Sequence, residues 1–244
     1  MENNFYESIA DWYDEIFPHT KMKENFVKRH INQETKNIVD IGCATGSLSL
    51  SISNSDNFVT GIDSDRVMIE KAQRKAYVGN SNCEFITADM LDTKELFLQN
   101  SQGAVICLGN TLVHLTSVER MQNFLNQAFY ILKDGGKIIG QIINYDRILN
   151  ERLDGLPTID TDSLNFKRMY EYDDDSTLIH FHTYLTIKRS GKLIENNIPL
   201  YPLHKGELIK LLTFSGFKDI KLYGNMNDQE WSLKTQPTVF VASK

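Results

Sequence analysis

Three apolar runs in this chain end on carboxylates, and the first is followed by two closely spaced glycines. Asn37-Ile-Val-Asp-Ile-Gly-Cys-Ala-Thr-Gly-Ser47 reads as a buried strand entering a turn, with helix-forming sequence directly behind it. Gly42 and Gly46 carry no Cβ, so the backbone there can come close to a ligand. The free N–H groups of the next helix point at the same place. Phe58–Asp63 is a second apolar run ending in an acid, 17 residues after Gly46. An acid at that strand tip is placed to accept hydrogen bonds from both hydroxyls of a ribose. With Ser64 behind it, Asp63 also makes a good helix start, its purely structural reading. Cys83–Asp89 is a third run with the same ending. Asp40, Asp63 and Asp89 in that order suit a nucleoside-like ligand at the carboxyl edge of a parallel sheet.

The glycine spacing narrows the ligand. A dinucleotide site uses G-x-G-x-x-G, and a phosphate-binding loop ends in Lys-Ser/Thr; neither occurs here. Asp40-x-Gly42-Cys43-Ala44-Thr45-Gly46 resembles motif I of the class I S-adenosylmethionine-dependent methyltransferases. Ala44 stands where that family commonly has its middle glycine, a change that φ < 0 would tolerate. The resemblance covers about residues 37–145. It implies that Asp63 and Ser64 hold the ribose, that Asp89 accepts the adenine amino group, and that Ala88 and Met90 flank the ring. Met68, on the helix after Asp63, either packs on the adenine or belongs to the core.

A narrower likeness lies further on. Val105-Ile-Cys-Leu-Gly-Asn110, with His114-Leu115 behind it, resembles the matching stretch of glycine N-methyltransferases. So do Asn144-Tyr145-Asp146 and, more faintly, Leu200-Tyr-Pro-Leu-His204. The likeness implies that Leu108 and Gly109 line the methionine end of the cofactor and that Asn110 faces the methyl acceptor. His114 either lies near the cofactor or packs at a helix start. In such enzymes an N-terminal helix folds over the cofactor, which makes Tyr6 and Tyr13 candidate partners of the methionine carboxylate. Tyr145, Arg168, Tyr201 and His204 are candidates for holding a polar acceptor, Arg168 because its fork suits a carboxylate. His180-x-His182 has no third ligand at a recognisable spacing and reads as polar positions on one strand face.

The elements that must place these residues follow from hydrophobic periodicity. A helical stripe of Tyr6, Ile9, Ala10, Tyr13, Ile16 and Phe17 predicts one helix over residues 4–17, closed by Pro18. A second helix covers about 20–31. Strands at 37–41, 58–63, 83–87, 104–108 and 137–143 then alternate with helices at 46–53, 65–77 and 93–99. A longer helix is opened by a capping box, Thr116-x-x-Glu119, and closed by Gly135-Gly136. This alternation predicts a doubly wound, mostly parallel seven-stranded sheet with helices on both faces. Over 146–200 the pattern becomes three antiparallel strands, Leu164–Tyr172, Thr177–Lys188 and Lys192–Ile198, joined by turns at Asp173-Asp174-Asp175 and Arg189-Ser-Gly191. The expected division is a cofactor-binding core over 1–145, an antiparallel insertion over 146–200 acting as a lid, and a return to the core over 201–244. A dimerising role is the alternative for the insertion.

Composition bounds the partners. With 26 basic against 32 acidic residues the net charge is −6, and no basic block offers a phosphate backbone a landing site. No apolar run approaches the roughly 18 residues of a membrane span. The polar start, Met-Glu-Asn-Asn, lacks an apolar signal core. Cys43, Cys83 and Cys107 lie in or beside buried strands without metal or disulfide spacing. The expectation is a cytoplasmic monomer or homodimer that transfers a methyl group from S-adenosylmethionine to a small amine or amino acid, with no metal. O-methylation of a hydroxylated metabolite and a non-catalytic S-adenosylmethionine-binding role stay open. A nicotinamide-dependent oxidoreductase conflicts with the glycine spacing.

Overall fold

Asn37–Ile41 and Gln102–Cys107 are apolar on both sides of the strand because each is covered on both faces. The computed structural model describes residues 5–31, 35–79, 81–173 and 175–244. Met-Glu-Asn-Asn and Asp174 of the triple-aspartate turn lie outside the described residues. Helices α1 (Phe5–Ile9), α2 (Tyr13–Ile16) and α3 (Lys21–His30) come first. Then follow β1 (Asn37–Ile41), α4 (Ser47–Ile52), β2 (Phe58–Asp63), α5 (Arg66–Gly79), β3 (Cys83–Thr87) and α6 (Thr93–Leu96). Next come β4 (Gln102–Cys107), α7 (Val118–Ile131), β5 (Leu132–Ile143) and α8 (Tyr145–Glu151). Strands β6 (Gly155–Asp160), β7 (Leu164–Tyr172), β8 (Ile179–Ile187) and β9 (Lys192–Leu200) form the insertion, and α9 (Lys205–Phe214), β10 (Lys218–Tyr223) and β11 (Pro237–Ser243) complete the chain.

The main sheet has seven strands in the order β3-β2-β1-β4-β5-β11-β10. It is parallel except for β11, which runs antiparallel to both β5 and β10. Period-2 alternation divides its side chains between two cores. Ile38, Ala104 and Ile106 face Phe26 and Val27 of α3 and Ile52 of α4. Val39, Ile41, Val105 and Cys107 face the buried stripe of α7, Met121, Phe124, Leu125, Ala128 and Ile131. The capping residue of α7 is Ser117, whose hydroxyl accepts from Arg120 N, and not Thr116. That helix also stops at Ile131, earlier than the paired glycines suggest.

Two elements were not expected. The N-terminal stripe is carried by two short helices, because Ala10, Asp11 and Trp12 form turns between them. The insertion has four strands, in the order β6-β7-β8-β9. β6 holds Gly155 and Pro157, residues that disfavour a central strand, and it lies at the sheet edge where they are tolerated. The inner face of this sheet, with Leu164, Phe166, Tyr170, Ile179, Leu185, Ile198 and Leu200, joins the α7-side core.

Gly140 shows how tightly β5 and β11 are matched. A Cβ there would stand 2.0 Å from Cζ of Phe240, its partner across the strands. Phe240 is fully buried, so its ring has nowhere to move. Gly140→Ala is expected to cost about 1–3 kcal/mol by overpacking. A thermal melt followed by circular dichroism should show a midpoint several degrees lower; an unchanged midpoint would mean that the ring repacks freely.

Candidate functional site

The carboxyl ends of β1, β2, β3 and β4 meet around a cavity of about 370 Å³. Its floor is the loop after β1, in which Gly42, Ala44 and Gly46 all have left-handed backbones, φ +66°, +49° and +74°. Gly42 has to be glycine twice over, since a Cβ there would also meet Thr111 at 2.6 Å. Ala44 departs from the φ < 0 expected of it. A left-handed non-glycine residue is strained by about 1–2 kcal/mol. The strain is held by Ala44 N donating to Asp63 Oδ2 at 2.9 Å and by the packing of its methyl against Ala10 and Met68. Gly42 N and Cys43 N both donate to Ile62 O, at 2.8 and 3.1 Å, so the loop is stitched to β2. Behind it the Phe85 ring fills the space beside two glycines: a Cβ on Gly46 or Gly61 would come within 2.5 or 2.6 Å of that ring.

The three acids converge on this cavity. Asp40, Asp63 and Asp89 all line it, with Ser64, Ala88, Met90, Leu108 and Gly109. Asp40 is 3% exposed and accepts a hydrogen bond from Ser49 Oγ at 2.6 Å. Burial pushes its carboxyl up to about 7, against the lowering effect of Ser49 and with the charge of Asp63 adding. Burial also raises Asp63, although Asp65 N and Ala44 N both donate to it and hold it down. Each Asp63 oxygen takes one backbone N–H and keeps a lone pair for a ligand hydroxyl. Asp89 Oδ1 accepts from Leu91 N at 2.8 Å and caps a short 3₁₀ turn at Met90–Asp92.

The fourth wall comes from the chain start. Tyr6 and Tyr13 line the cavity beside His114, and Tyr6 Oη lies 2.9 Å from His114 Nε2. Burial holds the His114 imidazole down at about 4, so it is neutral near pH 7. Burial also raises both tyrosine phenols. The segment is clamped from two sides. Asp14 accepts from Thr45 and Ser47 of the glycine loop and pairs with Lys75 of α5 at 2.6 Å. On the other side Glu15 accepts from Thr161 and Ser163, Ser8 bonds Asn196, and Phe17 meets Phe166 edge-on. The insertion therefore touches the cover, while no described residue of 146–200 lines the cavity itself.

Several expected positions lie elsewhere. Met68 is fully buried and packs with Ala10 and Ala44, off the cavity wall. Asn110 does not face the cavity: its Nδ2 donates to Tyr145 Oη at 3.0 Å, and its Oδ1 accepts from Ile143 N at 2.9 Å. Tyr145 is fully buried. Tyr201 bonds Glu207 at 3.1 Å. His204 bonds Asp146, which also caps α9 by accepting from Lys205 N at 2.7 Å. Arg168 lines a second cleft. His180 and His182 bond Asn197 and Glu171, and no group of three or more metal-ligating side chains occurs among the described residues. The wall also contains residues without a motif to flag them: Thr111, His19, Lys23 and Arg120. The first of these could have been suspected from its place behind Gly109-Asn110.

Residues 38–136 match a family described as a methyltransferase domain, over the strands and loops that build this cavity. That match and the strand order give the chain the class I methyltransferase fold. A wall that carries three acids and two buried neutral phenols suits the adenosine and methionine parts of S-adenosylmethionine. The chain is 28% identical to a glycine/sarcosine N-methyltransferase of Aphanothece halophytica, over 93% of this chain and 84% of that protein. Two solved structures share the fold, each with a TM-score of 0.81. One is an S-adenosylmethionine-dependent methyltransferase from Clostridium acetobutylicum, 14% identical over 98% of both chains. The other is the CcbJ methyltransferase of Streptomyces caelestis, 20% identical over 96% of this chain and 95% of that one. Among the described residues no helix is long and apolar enough to cross a membrane.

Proposed function

We propose that the protein methylates the nitrogen of a small amine or amino acid. The observation that carries this reading is the neutral imidazole of His114, held at about 4 on the wall of the cavity. A hydroxyl acceptor needs a base of pKa near the working pH beside it to take its proton. His114 is far too weak, and Asp40, which burial raises to about 7, is tied to Ser49 at the end of β1 beside the glycine loop. An amine needs only to arrive uncharged, which a partly apolar wall of Phe5, Leu108 and Leu115 favours. S-adenosylmethionine supplies a methyl group already activated on sulfur. The amine lone pair forms the new N–C bond as the C–S bond breaks, and the product ammonium releases its proton to water. Orientation and exclusion of water are then the protein's contributions.

By position, Asp63 and Ser64 hold the ribose, and Asp89, Ala88 and Met90 receive the adenine. Tyr6 and Tyr13 cover the methionine part, with Lys23 and Arg120 as cations for its carboxylate. We also infer that the 155–200 sheet is a lid at one remove, bracing the N-terminal cover. The relationship to a glycine/sarcosine enzyme supports the amine class. The test is to incubate the protein with labelled S-adenosylmethionine and glycine, sarcosine, short amines and hydroxylated aromatics in parallel. Label on nitrogen is the expected result; label found only on oxygen overturns the reading.

A further inference from the structure

A second cleft, of about 490 Å³, lies between α8, β6 and β7 and shares no lining residue with the cofactor cavity. Arg168 is its central feature. On β7 the residues Leu164, Phe166, Arg168 and Tyr170 alternate toward the core, so the guanidinium is set into an otherwise apolar face. It forms no ion pair with any described residue. Its Nη2 donates to Pro157 O, which orients the group, while its buried Nε–H has no acceptor. Directly across the β7–β8 ladder stands Thr183, 1% exposed and with its hydroxyl oxygen also unpartnered. Two unsatisfied polar atoms on one face of the ladder are unfavourable, and they mark Arg168 as a cation whose partners within the chain are incomplete.

The rest of the guanidinium lines the cleft, and the charge around it sets what the cleft can take. Arg147 and Lys167 line the same cleft against a single acid, Asp154, in a protein of net charge −6. Ile148, Leu153, Leu156 and Met169 give it an apolar floor. A guanidinium on the wall of such a cleft presents a planar set of N–H groups shaped to receive two oxygens of one group. We propose that this cleft binds a small molecule carrying a carboxylate or phosphate on a short apolar body, at a site separate from methyl transfer.

The test is titration of the full chain with inorganic phosphate and, separately, butyrate, each against chloride at equal ionic strength. The readout is the arginine Nε–H region of the ¹H–¹⁵N spectrum. One signal, identified by its absence in Arg168→Lys, should shift and saturate with at least one probe and stay still in chloride. Which probe acts tells phosphate from carboxylate. Calorimetry should show binding at least about tenfold weaker in Arg168→Lys, which keeps the charge but loses the fork, and none in Arg168→Gln. Should the Arg168 variants fail to fold, Lys167→Gln and Arg147→Gln should each weaken binding. No saturable shift with either probe, an equal shift in chloride, or unaltered affinity in a folded variant of Arg168 overturns the proposal.

Discussion

Asp63→Ala should weaken S-adenosylmethionine binding by about 3 kcal/mol, roughly two orders of magnitude in Kd. Two losses combine. The ribose loses a charged acceptor for its hydroxyls, and charge-assisted hydrogen bonds are the strong ones. The loop also loses its anchor, because Asp63 Oδ2 is what Ala44 N donates to while Ala44 sits in the left-handed region. Asp63→Asn separates these effects. The amide keeps one oxygen, so it can hold either the loop or a hydroxyl, and its loss should fall between those of wild type and Asp63→Ala. Calorimetric titration with S-adenosylhomocysteine checks both variants. Wild-type affinity in a folded Asp63→Ala protein would remove the ribose assignment.

The second large effect is on pH. Burial raises the Asp40 carboxyl from 3.8 to about 7, so between those values the folded protein holds a proton there that the unfolded chain has released. This group alone therefore favours folding at low pH, and that contribution fades as pH rises from 3.8 through about 7. Asp40 lies on the wall of the cavity, and a sulfonium ligand favours its ionised form. Binding of S-adenosylmethionine below pH 7 must then expel a proton. The expected outcome is a Kd that falls about tenfold from pH 6 to pH 8. Calorimetry in two buffers of different ionisation heat should find close to one proton released at pH 6 and almost none at pH 8. In Asp40→Asn the release should vanish. Affinity that is flat with pH in the wild type would show that Asp40 does not sense the ligand.

Much of this site could be read from the chain because its chemistry sits at strand ends. Apolar runs closing on Asp40, Asp63 and Asp89 place three acids along one sheet edge by topology alone. Local spacing says less about side chains whose position depends on distant partners. Asn110 looks like a free amide until Tyr145 and Ile143 are found to use both its ends. His204 and Tyr201 are likewise taken up by contacts with α8 and α9. β6 escaped notice because Gly155 and Pro157 argue against a strand unless its edge position is known. The break between α1 and α2 is hidden because the apolar stripe continues across it. The positive φ of Ala44 had no signal, since alanine gives no hint of left-handed backbone.

The Phe85 ring, wedged beside Gly46 and Gly61, sets a rule for how this protein can diverge. Neither glycine can gain even a methyl group while the ring is present, because each Cβ would fall within 2.6 Å of it. A smaller side chain at position 85 would relieve only part of this: a Cβ on Gly46, at φ +74°, would still meet Ala72 Cβ at 2.9 Å, and one on Gly61 would meet Cys43 Sγ at 2.8 Å. Changes at these three positions are therefore strongly non-additive. Loss of the ring alone does not free either glycine, so divergence of the cofactor loop needs coordinated change at a residue two strands away and at Ala72 or Cys43.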